Sequence, residues 1–146
     1  MTNLKSWGVP FLIIVAVITF FQFISPNIPE SDSFYYMGLG SLYSEQGLFN
    51  VDFPWIFHSV IRTFSSSLWW GFGMLLLPFS LFPDQVLAIK ISGVLFGSLA
   101  LFAYYYVGRR ENFAMPLLWP FLLFFSAPNI LSRFLMVRPQ IVSLPL

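Results

Sequence analysis

The chain contains no cysteine, which excludes disulfides, thiolate nucleophiles and thiolate metal sites together. Its single histidine, His58, cannot build a multi-histidine site, so a bound metal would need oxygen ligands. Charge is scarce as well. Only 9% of residues are charged, against roughly 25% in soluble domains. The net charge of +1 comes without a basic patch, which excludes nucleic acid as a partner. No internal repeat and no low-complexity tract is present.

What the chain has instead is apolar mass. Of its 146 residues, 58% are hydrophobic and 21% aromatic, and the mean hydropathy is +0.78. A soluble fold of this size has too little interior to hide that surface, so the composition implies a polytopic membrane protein. A bilayer core of about 30 Å needs roughly 20 apolar helical residues. Trp7–Ser25 meets that requirement, with Trp7 as an interfacial aromatic and Lys5 as a cytoplasmic anchor. It is longer than a signal-peptide core, and Ser25-Pro26-Asn27 offers no small-x-small cleavage site. Pro26 and Pro29 then end the helix.

Residues 26–67 are polar enough to form an outer-face loop, holding Glu30, Asp32, Glu45 and Asp52 against one base, Arg62. Within it, Ser31 or Ser33 is placed to cap a helix running to Gln46, with Gly47 as the residue that stops it. Tyr35, Tyr36, Leu39, Leu42 and Tyr43 recur at helical spacing, which predicts an amphipathic helix lying in the membrane interface. Asp32 stands in its first turn, where the helix dipole favours negative charge. A second half-buried helix is expected over Ile56–Phe64, and His58 within it reads as a hydrogen-bonded interfacial residue.

Leu68–Phe82 is apolar but short for a span and is interrupted by Pro78, so it is expected to be re-entrant or tilted. Gln85–Val107 predicts a full span with Lys90 near one end and Tyr104-Tyr105-Tyr106 at the other. Gly108-Arg109-Arg110-Glu111-Asn112 reads as a charged turn, and Phe113–Ile130 as the next span. The tail carries Arg133 and Arg138 before turning apolar at Ile141. If Leu68–Phe82 does not cross, Lys5 and Arg109-Arg110 share the inner side, as the positive-inside tendency requires. Arg133 and Arg138 then lie at the outer face, as interfacial anchors, partners of an anionic head group, or partners of the first-loop acids.

The fold expected is all-α: a single polytopic membrane module over 1–146, with three to four transmembrane helices and a structured outer loop. The setting expected is a bacterial plasma membrane with the N-terminus cytoplasmic. The apolar residues ending the chain predict the N-terminal part of a longer protein.

The order of motifs resembles the N-terminal module of the GT-C superfamily, the polytopic glycosyltransferases that use polyprenyl-phosphate sugars. The matching residues are Asp32-Ser33-Phe34-Tyr35-Tyr36, Leu42-Tyr43-Ser44-Glu45-Gln46-Gly47, Leu68-Trp69-Trp70 and Ala88-Ile89-Lys90. Arg109-Arg110, Ser132-Arg133 and Val137-Arg138-Pro139 follow. The resemblance implies transfer of a sugar from a polyprenyl-phosphate donor at the outer face, in the bilayer, by a chain that is inactive as these 146 residues alone. It makes Asp32 the catalytic carboxylate, as general base or as ligand of a divalent cation, and puts Arg133 and Arg138 near the donor phosphate. Glu30 and Asp52 are the candidates for a second carboxylate. The chain departs from the family where Arg138 replaces an acid, and where Ser65-Ser66-Ser67 replaces a phosphate-binding lysine. Without the resemblance, Asp32 reads as a helix cap. The competing function is a non-catalytic membrane subunit or assembly factor that contacts a partner through its acidic loop.

Overall fold

A computed structural model describes residues 5–28, 30–49, 52–53 and 69–143. The predicted helix Ile56–Phe64, His58 and Ser65-Ser66-Ser67 lie outside the described residues. What is described is helical: α1 (Lys5–Ile24), α2 (Asp32–Gln46), α3 (Trp70–Ser80), α4 (Gln85–Arg110), α5 (Leu118–Phe125), α6 (Pro128–Leu135) and α7 (Pro139–Ser143). No strand occurs among them.

Two helices are long and apolar enough to cross a membrane, over Trp7–Ile24 and Gln85–Arg110. They pack antiparallel, because Trp7 meets Tyr105 and Tyr106 at one end while Lys90 reaches Ser25 at the other. Arg109 also lies over the Trp7 ring, 4.2 Å from its centroid, a favourable cation–π contact. The start of α1 and the double arginine therefore share one end of the bundle, as the charge count predicted.

The boundaries of α4 follow from its caps. Asp84 accepts hydrogen bonds from the N–H groups of Val86 (2.9 Å) and Leu87 (3.2 Å), satisfying two of the donors that a helix start leaves open. At the other end the helix runs one turn past Val107, so Arg109 and Arg110 are helical rather than part of a turn. There they face the negative end of the helix dipole. Asn112 stops the helix in the left-handed region (φ 55), and the N–H groups of Asn112 and Phe113 bond back to Arg109 and Gly108. That is the Schellman arrangement with asparagine in the usual glycine place.

The predicted span Phe113–Ile130 is not one helix. It is replaced by α5 and α6, which meet at 106°. Pro128 begins α6, and Ala127 before it is extended (φ -156, ψ 147) because a proline ring crowds its predecessor. Two spans are thus continuous, and a third exists only if the bent pair is counted as one. The α3 segment has 11 residues, about 16 Å of helix, well short of a crossing. It packs on α2 and α4.

The α2 helix buries Ser33, Tyr36, Met37, Leu39, Gly40, Leu42 and Tyr43, so the apolar stripe read from the sequence is covered largely by α3. Ser31 precedes the helix but makes no side-chain capping bond, and Ser33 lies inside it, so neither serine caps as expected. Gly47 does end α2, at φ 90 and ψ 179, a conformation open to glycine almost alone.

Close approach fixes the last third of the chain. Gly93 and Gly97, one turn apart on α4, face the carbonyls of Leu135 and Phe134 at the end of α6. A Cβ at Gly97 would stand 2.6 Å from the Phe134 oxygen. The backbone of α6 can seat here only because these positions lack side chains.

Candidate functional site

The docking of α6 on α4 delivers Val137 and Arg138 to the bundle end at which α1 finishes and α2 begins. Three first-loop residues receive them. The Val137 N–H donates to the Ser33 hydroxyl (3.3 Å). Arg138 donates from Nε to Oε2 of Glu30 (2.6 Å), and its Nη2 contacts the second oxygen of the same carboxylate. The same Nη2 reaches Oδ2 of Asp32 at 3.1 Å. The result is a two-toothed guanidinium–carboxylate pair, the geometry for which arginine is specific, with a second carboxylate on its flank.

The two acids differ in setting. The Glu30 side chain is 10% exposed, whereas that of Asp32 is 54% exposed. Glu30 is the residue that holds Arg138, and Asp32 is the one that solvent or a substrate reaches. Beside them lies an open cleft of about 650 Å³, lined among others by Asn27, Glu30, Ser31, Phe34 and Val86.

Of the residues singled out from sequence, Glu30, Asp32 and Arg138 come together although over a hundred positions separate the acids from the arginine. Arg133 does not join them. It is exposed on α6, with no ion pair among the described residues. Asp52 is exposed, and its N–H bonds to the Gln46 side chain (2.8 Å). This anchors Asp52 at the end of α2 remote from Asp32, about 20 Å away along a 15-residue helix.

A divalent cation fits this donor set poorly. Both carboxylates already share one guanidinium, and no group of three or more His, Cys, Asp or Glu that could hold a metal occurs among the described residues. Calcium takes six or more oxygen ligands, and magnesium demands near-octahedral geometry.

Sequence reasoning missed two members of this end of the molecule. Lys90 is 6% exposed; its Nζ donates to the Ser25 carbonyl (2.6 Å) and lies over the Phe23 ring. It thereby closes the C-terminal end of α1, whose last carbonyls lack helical partners. Gln22 is also buried, and its Oε1 has no hydrogen-bond partner among the described residues. Neither role was visible without knowing that α1 and α4 pair in this register.

Tyr36, one turn after Asp32, is buried against Phe72. Burial raises its phenol above the ordinary value of 10.0, and the neighbouring Asp32 charge and then Tyr35 raise it further. The unfolded chain therefore releases this proton first, and folding stability falls as pH rises above about 10. A pH series of unfolding midpoints from 8 to 11 is expected to be flat up to about 10 and then decline. The decline should be shallower in Tyr36→Phe.

No family model, no curated protein and no solved structure matches this chain.

Proposed function

We propose that this chain is the membrane module of a transferase similar to the GT-C enzymes, moving a sugar from a polyprenyl-phosphate donor to an acceptor at the outer face. In this reading α1 and α4 cross the bilayer, α5 and α6 enter it as a broken segment, and the Arg109 end faces the cytoplasm. The observation that carries the proposal is the Asp32 carboxylate, exposed at the bundle end opposite Arg109 and flanked by Arg138, with an open cleft that Glu30 and Ser31 line on the other side of the pair.

The chemistry assigns one task to each group. An acceptor hydroxyl attacks the anomeric carbon while the bond from that carbon to the donor phosphate breaks, and the phosphate leaves with the electron pair. Asp32 takes the hydroxyl proton as general base. Arg138 balances the Asp32 charge and offers its half-exposed guanidinium to the leaving phosphate. Glu30 keeps Arg138 in place.

Asp32→Ala and Asp32→Asn in the full-length protein test this directly. Sugar transfer to acceptor in membranes should fall by about 10²-fold or more, the usual contribution of a general base. Unchanged transfer by a normally folded Asp32→Asn protein would remove the catalytic assignment and leave Asp32 as a partner of Arg138 only.

A further inference from the structure

We infer that α6 is an interfacial helix of the outer leaflet, and that Arg133 seats on the phosphate of an anionic phospholipid there. The inference rests on the membrane reading of α1 and α4, but not on the sugar-transfer chemistry.

The helix is amphipathic in the strict sense. Phe134 and Leu135 are buried, and Ile130 and Leu131, each one turn earlier, pack against the same core. Asn129 and Arg133, four residues apart, are both exposed and so share the opposite face. Apolar residues inward with amide and guanidinium outward is the pattern of a helix lying along a membrane surface.

Its direction and depth agree. The α5 helix packs on α4 and ends against Phe21 of α1, and α6 leaves it at 106°. The segment through α5 runs back along α4 from beside Gly108 to Phe21, so a turn of 106° away from α5 carries α6 across the line of the spans rather than along it. Its last carbonyls sit beside Gly93 and Gly97, at the level of Gln22 and Ile18. Those residues are about 3 and 9 Å below Ile24 along the helix axis, where the apolar window of α1 ends. The long arginine side chain reaches back from there to the phosphate layer.

Charge selects the occupant. At this end of the bundle Lys90 is buried on the Ser25 carbonyl, and Arg138 is matched by two carboxylates. At this end of the bundle Arg133 is the exposed base without an ion pair among the described residues, and in the membrane reading the anions within its reach are lipid phosphates. The two arginines that the sequence grouped together thus separate: Arg138 closes the protein on itself, and Arg133 faces the bilayer.

These 146 residues contain no cysteine, so a single nitroxide label can be placed in them without removing a native thiol from this stretch. Labels at Asn129 and, separately, at Ile24 are read for immersion depth by oxygen and nickel-chelate relaxation in phosphatidylcholine vesicles containing phosphatidylglycerol. The expected result is Ile24 in hydrocarbon and Asn129 at the phosphate level. Retained lipids are then counted by native mass spectrometry. Arg133→Gln should lower phosphatidylglycerol retention relative to phosphatidylcholine by roughly fivefold at one site, and Arg133→Lys should keep it. An Asn129 label in bulk water with Ile24 still in hydrocarbon overturns the interfacial placement. Unchanged retention in Arg133→Gln overturns the phosphate contact. An Ile24 label in water overturns the membrane reading itself, a different failure with a different signature.

Discussion

Gly97→Ala is expected to be among the most damaging single-methyl additions in this chain. The added Cβ would lie 2.6 Å from the Phe134 carbonyl oxygen, well inside ordinary contact distance, and the obstacle is backbone that has no rotamer to change. Either α6 moves off α4 or α4 bends. Overpacking of this kind costs about 1–3 kcal/mol, and a larger residue such as leucine should prevent docking outright. Gly93 provides the internal comparison. There the nearest atom is Nε2 of Gln22 at 3.0 Å, the end of a flexible side chain, so Gly93→Ala should cost less than about 1 kcal/mol. Unfolding midpoints in a single detergent or lipid system measure both. If Gly93→Ala were the more harmful, the seating of α6 on Gly97 would be wrong.

Arg138→Ala should have the second large effect, through the charge it strands. Glu30 is only 10% exposed at its side chain and would lose both guanidinium bonds. A fully buried pair broken on one side costs about 3–5 kcal/mol, and an exposed pair under about 1. Because Arg138 itself is 38% exposed, water screens part of the loss, and about 2 kcal/mol is the expected value. Glu30→Gln should cost less, since an amide oxygen still accepts from Nε. Asp32→Asn should cost least, because its single bond to Arg138 is solvent-exposed. The ordering decides the matter: an Asp32→Asn loss equal to that of Arg138→Ala would show that Asp32, not Glu30, holds the arginine. The double variant Gly97→Ala/Arg138→Ala should lose less than the sum of the two, since both loosen the same attachment. Strict additivity would separate α6 docking from the placement of Arg138.

The long elements were legible because hydropathy alone specifies them. Trp7–Ile24 and the helix from Gln85 announce themselves by apolar length, and their shared basic end follows from counting arginines. The α2 boundaries were legible too, from Asp32 at the start and Gly47 at the end. The break at Ser126–Pro128 was not, because a run as apolar as Leu117–Phe125 reads equally well as one span continuing through proline. Gly93 and Gly97 signal that something approaches α4 closely, but nothing in their spacing says that it is the end of a bent helix. That approach brings Arg138 to Glu30, so the electrostatics of the site depended on the least legible contact. Arg133 and Arg138 looked alike in sequence, and only the direction of α6 tells them apart. Lys90 was placed near one end of its span, but the partner it takes, the Ser25 carbonyl, is a backbone atom that no side-chain pattern advertises.

The pairing of Glu30 with Arg138 also has a meaning in time. A ribosome makes Glu30 early, and 108 positions separate it from its arginine. Chain grows at about 5–20 residues per second, so Glu30 waits several seconds or more with its carboxylate unmatched. During that interval α1, α2 and α4 can find their places, but the end of the bundle opposite Arg109 stays open. It closes only when α6 has turned across α4 and residue 138 has been delivered. Synthesis arrested anywhere between α4 and Arg138 should therefore leave a bundle with its long helices formed and the segment before α2 unlatched, a nascent state that a protease would recognise by that segment.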